Sequence, residues 1–533
     1  MPRSRSIPTG SGASRSRCSG ARPARAAPAR STETARSSAW APRTCATCGR
    51  AISWSSGWAA ARVMARPQTG RWPRSRPTSR TGCWVRKPRA ASIRSSPAGA
   101  GPEMGRSADS FDRALWWGAS DEPALAAPPL RGTTETDVAI VGGGFTGLVI
   151  ALHLAEAGLA PLVLEARHVG FGASGRNGGQ VIPGLKYDPE ALLQKFGPDR
   201  GRALIDLVGG AADAVFDLIE RHRIRCAPRR AGWIQAAHSE RALPAVLNRA
   251  RQWQERGVGV SILSRDEIAA RTGTSLYHGG WHDPRAGGLN PLAYARGLGR
   301  AAIAAGAHLI EESPALSLTR KGAGWEIRTP EGLVRANRVL IATNAYGEGL
   351  LPGLAQSILP VQSMLVATAP LPEDLRARLM PGGVVLSETR KLAFYMRQSD
   401  DGRLVLGGRG AVGPMEDGRL MAALEAGLAR IFPEAARFGI AQRWSGQLAL
   451  TLDGLPHLHA PEPGLQVLLG YNGRGIALAT ALGRMVANHL AHGEEPVFPV
   501  TPIRPLAWHR LREPVMNAGI RWYWLKDRMG FAS

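Results

Sequence analysis

Three glycines and one acid set the first chemical expectation. In TDVAIVGGGFTGLVIALHLAEAGLAPLVLEA (residues 136–166), Gly142, Gly144 and Gly147 spell G-x-G-x-x-G, and Glu165 follows 18 residues after Gly147. The apolar run 138–141 suits a buried parallel strand. The first glycine permits a tight turn, the second lets a pyrophosphate approach, and the third lets helix pack on strand. Phe145 and Thr146 open that helix, whose N-terminus offers N–H donors and a positive dipole to phosphate. A second strand, 161–164, delivers Glu165 and Ala166, and the carboxylate can accept from both ribose hydroxyls. Strand, turn, helix and acid at this spacing predict dinucleotide binding.

The next stretch, GFGASGRNGGQ (170–180), holds five glycines in eleven residues. A nicotinamide enzyme would usually continue into another helix here. So dense a glycine run means tight turns or an approach too close for a Cβ. Gly172, Ala173, Ser174, Arg176, Asn177, Gly178 and Gly179 are expected to lie against a flavin ring and its pyrophosphate. Downstream, RVLIATNAY (338–346) reads as an apolar strand ending in small polar residues, with Ala342 and Thr343 facing the cofactor; Ala315 is a further expected contact. GLQVLLGYNGRGIALATALGRMVANHL (464–490) is again strand, glycine loop and helix. Its residues Gly470, Asn472, Gly473, Arg474, Gly475 and Ile476 would set a helix dipole at the electron-rich edge of FAD.

The elements carrying these residues occupy only part of the chain. Of 533 residues, 1–103 hold 20 Lys and Arg against two acids, leaving 47 basic and 40 acidic residues for the remainder. The overall charge of +25 and pI of about 11.1 therefore describe mainly the first fifth. That segment has no Leu, Phe, Tyr, Asp, Asn or His, so no core can offset its chain entropy. Disorder, an RNA-binding arm using Arg and Trp40, Trp54, Trp58, Trp72 and Trp84, and an out-of-frame or upstream reading of GC-rich DNA before a start at Met104 all remain open. The vocabulary of Arg, Ala, Pro, Ser, Gly, Trp and Cys favours the third. Cys45 and Cys48 form C-x-x-C without two further ligands, so no metal is expected. No apolar run approaches the ~20 residues of a membrane span, and the single downstream cysteine, Cys226, suits a reducing cytoplasm.

Residues 111–533 resemble FAD-dependent amine and amino-acid oxidoreductases of the D-amino-acid oxidase / glycine oxidase fold, and within them gamma-glutamylputrescine oxidoreductases. The resemblance rests on PPLRGTTETDVAIVGGGFTGL, VGFGASGRNGGQV, ATNAY, GRLVLGGRG, the W-S-G-Q…T-L-D-G-L-P-H region and GYNGRGIALAT. It implies an α/β (α+β overall) architecture: a discontinuous Rossmann-like FAD-binding domain (104–190, 290–346, 445–495) and a mostly antiparallel substrate domain (191–289, 347–444). A tail, 496–533, follows. Strands are expected at 231–237, 361–369 and 403–409, and a scaffold helix at 202–221.

The same resemblance implies hydride transfer from an amine-bearing carbon to flavin, giving an imine that water hydrolyses, with O2 or another acceptor taking the electrons. Members with covalent flavin use a Cys or a His. Cys226 lies far from that Cys position and Arg176 stands near the His position, so FAD is expected to be non-covalent. Glycine oxidase-like members place a carboxylate-gripping Arg shortly after W-x-G, whereas Trp444-Ser445-Gly446 is followed by Gln447, Leu448 and Ala449. That favours an amine. Arg397 could still meet a carboxylate, which keeps amino-acid oxidation open, as an RNA-associated flavoprotein remains open through the basic arm. Tyr395, Arg397, Gln447 and Tyr471 are the candidates for the substrate pocket, with no catalytic base assigned. His457 and His459, in H-x-H, and His278 and His282 are expected to be structural rather than metal ligands. The tail is expected to dock on its own domain.

Overall fold

In the computed structural model the described residues are 114–347, 349–410 and 418–529. The basic extension, its C-x-x-C and Met104 lie outside them.

The sheet that positions the fingerprint is built around Gly132–Val141, whose last four residues are all buried. It pairs in parallel with Gly332–Ile341 on one side and Leu162–Leu164 on the other. Leu465–Leu469 and His308–Ile310 extend the parallel set outward. His457–Glu462 closes one edge antiparallel, and Ser317–Lys321 and Gly324–Arg328 form an antiparallel arm on Gly332–Ile341. Strands buried on both faces must be largely apolar, which is how VAIV, LVL and VLI read, and LQVLL apart from Gln466.

Phe145–Glu156 follows the first strand and is buried almost all round, so its apolar residues form no single stripe. Gly475–His492 and Pro291–Ala304 pack beside it, joined in one core with Val149, Leu298 and Leu482. Gly147 makes the helix's contact with the sheet possible: a Cβ there would stand 2.0 Å from the Gly142 carbonyl oxygen.

A second eight-stranded sheet runs in the order Ile440–Leu450, Leu359–Thr368, Leu404–Arg409, Phe394–Gln398, Val385–Glu388, Trp233–Ala236, Gly280–Asp283, Ser261–Leu263. Only the Val385–Glu388/Trp233–Ala236 pair is parallel. One face carries Ile234, Met364, Val366, Leu386, Met396 and Leu406, in a core with Leu424 and Leu428. The other carries Leu365, Ala367, Val405 and Trp444.

Two expectations change, and the tail docks on the chain's own fold as expected. The helix foreseen over 202–221 is two, Pro198–Gly209 and Ala211–Arg221, meeting at Gly210. Gly209 and Gly210 carry the lowest helix propensity short of proline, and the break falls there. The boundary placed at 444/445 falls inside a continuous strand, because Ile440–Leu450 pairs with Leu359–Thr368 along its length. The tail spans both sheets. Thr501 N–H donates to the Leu458 carbonyl, Phe498 is buried, and the Asp527 carboxylate accepts from the Lys391 and Leu392 N–H groups at 2.7 and 2.9 Å. Asp527 thus holds the loop joining Val385–Glu388 to Phe394–Gln398.

Gly147→Ala would drive its Cβ into the Gly142 backbone, with Ile140 Cγ2 also at 3.1 Å, and should cost at least ~2 kcal/mol by overpacking. Gly118→Ala meets nothing within 4 Å and should stay within ~0.5 kcal/mol. Paired thermal melts of the two variants check this.

Candidate flavin and substrate site

At the fingerprint turn Gly142 has φ +114°, and a Cβ would meet the Ala342 carbonyl at 3.0 Å, so this turn requires glycine. Glu165 leaves Leu162–Leu164 and folds back: its carboxylate accepts from Gly143 N–H at 2.7 Å and from Arg167 N–H at 2.9 Å. Burial pushes this carboxyl above its ordinary range, against the downward pull of those two donors. The helix after Gly144 has no side-chain cap on its N-cap residue, although Ser174 Oγ takes the Phe145 N–H at 3.0 Å. Gly172–Asn177 therefore sits beside the helix N-terminus, with Gly144 against Ser174.

The late loop closes onto the same place. Gly470 N–H donates to Asn344 Oδ1 at 3.1 Å, tying it to the strand end that carries Ala342 and Thr343. Asn472, at φ +54°, spends its side chain on Thr451 and the Gly470 carbonyl. A Cβ at Gly473 or Gly475 would project into open space in front of the Gly475–His492 N-terminus. Ile476 is buried in the core behind it. Thr343 Oγ1 is buried without a hydrogen-bond partner among the described residues, an orphan hydroxyl at the carboxyl end of a parallel strand, where ligands of such sheets bind. Ala315 is packed on the core that holds Val141, Leu164 and Ile341, while Ala166 is exposed beyond Glu165. Turn, acid, two helix N-termini and an orphan hydroxyl fit FAD.

The glycine loop is anchored through three consecutive carbonyls. Trp444 Nε1 donates to Arg176 O at 2.8 Å, Trp116 Nε1 to Asn177 O at 2.7 Å, and Arg397 Nε to Gly178 O at 2.8 Å. Within the loop, Asn177 donates to Ala173 O and Ser174 O and accepts from Gly179 N–H. Its side chain therefore shapes the loop. Arg176 donates to Phe171 O and lies 4.6 Å over the Phe171 ring, with its Cβ against Gly446.

The four expected pocket residues separate. Tyr395 lies against the glycine loop: its hydroxyl hydrogen-bonds Ser363 Oγ at 2.8 Å, and its ring occupies space that a Cβ at Gly178 or Gly407 would take. Arg397 is committed elsewhere. It is 2 % exposed, donates to Gly178 O, Leu289 O and Gln398 O, and covers the Trp116 ring at 4.7 Å. No ion pair holds it among the described residues, and burial lowers its pKa to about 10. Gln447 pairs with Gln362 on the sheet face of Ser445 and Met364, opposite Trp444 and Gly446. Leu448 takes the loop-facing side instead. Tyr471 braces the two nucleotide loops, its hydroxyl 2.6 Å from Thr146 Oγ1. Arg474 is similarly engaged, donating to Pro183 O beneath the Trp233 ring, and burial lowers its pKa to about 9.

The sequence reading missed Trp116, Ser363 and Tyr346. Tyr346 packs on Gly172 and accepts the Gln447 N–H at 2.9 Å, linking loop to roof; the A-T-N-A-Y motif already contained it. His457 faces Asp453, His459 the Thr501 carbonyl and His282 the Ala231 carbonyl. Among the described residues no cluster of three or more His, Cys, Asp or Glu could hold a metal.

Residues 137–489 match the family model described as DAO, FAD dependent oxidoreductase. The probable oxidoreductase OrdL of Rhizobium meliloti is 32% identical over 431 residues, covering 78% of this chain and 97% of that one. The gamma-glutamylputrescine oxidoreductase of Escherichia coli K12 is 31% identical over 406 residues, covering 75% and 95%. Among solved structures, glycine oxidase from Geobacillus kaustophilus superposes with a TM-score of 0.59 at 25% identity, covering 70% of this chain and 99% of that one.

Two measurements follow from the site. Trp116→Phe keeps the ring but strands the Asn177 carbonyl, which should cost ~1–3 kcal/mol and speed flavin release, read by melting and by flavin fluorescence. Glu165 binds its proton more tightly folded than unfolded, so its contribution to apoprotein stability falls as pH rises from the ordinary glutamate range through the raised native value. Glu165→Gln should remove that slope in apoprotein denaturation curves compared across the window.

Proposed function

We propose that this chain, which belongs to the DAO family of FAD-dependent oxidoreductases, oxidises the carbon–nitrogen bond of an amine of the gamma-glutamylputrescine class. Within the family, the reading is carried by one observation: the guanidinium that could have gripped an α-carboxylate, Arg397, is spent on backbone carbonyls. Leu448 stands on the loop-facing side of the strand just after Trp444-Ser445-Gly446, and its side chain offers a carboxylate no donor. The name of the Escherichia coli relative, gamma-glutamylputrescine oxidoreductase, agrees with an amine-directed oxidoreductase.

FAD, once bound, would supply the acceptor for the hydride, and with it the two electrons, that leaves the amine-bearing carbon, while the nitrogen loses a proton. The protein's part is to bind, dry and orient. Leu365, Val405, Trp444 and Phe171 make an apolar wall beside the loop. Burial there disfavours an ammonium and presents the neutral amine that hydride loss requires. Tyr395 and Ser363 form a hydroxyl pair on that wall, able to hold the amine nitrogen by accepting or donating. The imine then needs only water to give the aldehyde, and O2 or another acceptor takes the electrons.

Non-covalent flavin is part of the proposal. Cys226 is buried and desolvation pushes its thiol up to about 12, which leaves it protonated and a poor nucleophile. Amino-acid oxidation is the second reading, favoured by the likeness to glycine oxidase.

Anaerobic titration with gamma-glutamylputrescine, simple amines and glycine should bleach the flavin with the first and leave it oxidised with the last; bleaching by glycine alone overturns the amine reading. Acid precipitation should release the yellow chromophore into the supernatant. Arg397→Lys should lower stability while changing KM for carboxylate-bearing and carboxylate-free amines alike, within ~2-fold of each other. A selective rise for the carboxylate-bearing amine would return Arg397 to the substrate.

A further inference from the structure

Arg512–Arg528 and its flanks expose one line of large apolar side chains. Leu511, Val515, Trp522, Leu525 and Met529 are each between 43 % and 59 % exposed. At ~100° per residue these five fall within about 80° of the helix circumference. Arg521 lies along one flank of the line and Lys526 along the other, Lys526 Nζ standing 5.3 Å from the Trp522 ring. Neither cation enters an ion pair within the described residues. The acids are elsewhere: Asp527 is turned inward onto the Lys391 and Leu392 N–H groups, and Glu513 lies on the far side of the helix from the line.

We infer that this helix seats the protein on an anionic phospholipid surface, with the apolar line in the acyl boundary and Arg521 and Lys526 at the headgroups. An aromatic and aliphatic strip between cations is the pattern of helices that lie in the interface plane. No helix of the described residues is long and apolar enough to cross a membrane, so the contact is peripheral. Charge decides against a second copy as the occupant. Two such lines laid together would bring Arg521 and Lys526 against the like charges of the other copy, with no acid on the line to offset them. Lipid phosphates meet both flanks at once.

The test is flotation of the full-length, flavin-loaded protein with vesicles of phosphatidylcholine alone or with about 30 mol % phosphatidylglycerol. Wild type should float with the anionic vesicles and stay behind with the neutral ones. Trp522→Ser with Leu525→Ser, and separately Arg521→Glu with Lys526→Glu, should each lower anionic-vesicle binding at least ~10-fold while leaving amine-driven flavin bleaching unchanged. If the serine pair fails to fold, by melting or flavin loss, the charge-reversed pair decides. Wild type that stays with the buffer overturns the inference. So do variants that float like wild type, which would move the binding to another surface such as the basic N-terminal extension. A wild-type dimer that the serine pair converts to monomer, without vesicle binding, would assign the line to a second copy.

Discussion

Three successive backbone carbonyls, those of Arg176, Asn177 and Gly178, are each taken by an N–H donor from a different part of the chain. A glycine-rich loop has little of its own to hold it: each glycine widens the conformations available and removes side-chain packing. Trp444 from the roof sheet, Trp116 from the segment before the first strand and Arg397 from a second roof strand supply that rigidity from outside. They also touch one another, Trp116 meeting Trp444 edge to face at 6.0 Å and Arg397 covering Trp116. The loop, the two sheets and the N-terminal segment are thereby fixed by one small cluster.

That cluster explains a buried cation that otherwise looks expensive. Among the described residues Arg397 has no carboxylate at ion-pair distance, yet its guanidinium meets three carbonyl oxygens and an aromatic face. Charge-assisted bonds of this kind contribute ~1.5–3 kcal/mol each, and a desolvated cation–π contact about 2 more. Removing one partner would leave the others buried and unpaired. The residue is an anchor because its donors are already occupied, and the substrate reading depends on that occupation.

The nucleotide half of the fold was legible because its signals are local. A G-x-G-x-x-G turn, four-residue apolar strands and an acid at fixed distance need only nearest-neighbour sterics, so Gly142, Gly147 and Glu165 stand where their spacing placed them. The substrate side was less legible, since a side chain's destination depends on which strands pair. Arg397 and Tyr395 are two apart on one strand and share a face, but only the tertiary structure sends one to backbone and the other to a serine. Gln447 was open to correction from sequence: three residues from Trp444 on a strand is an odd step, and odd steps change faces. Gly209-Gly210 likewise marked the break in the helix over 202–221. Trp116 carried no signal, because nothing local links it to a loop 61 residues onward.

The alternation of the roof strands sorts the positions facing the loop into two groups with different freedom to vary. Trp444 and Arg397 hold backbone, so variation there disturbs the flavin loop before it can tune selectivity. Ser363, Tyr395 and Leu448 share that face, where the hydroxyls of Ser363 and Tyr395 hydrogen-bond each other. A combinatorial library aimed at changing amine preference therefore has a small natural size, three codons, and combining them explores the wall without loosening its frame.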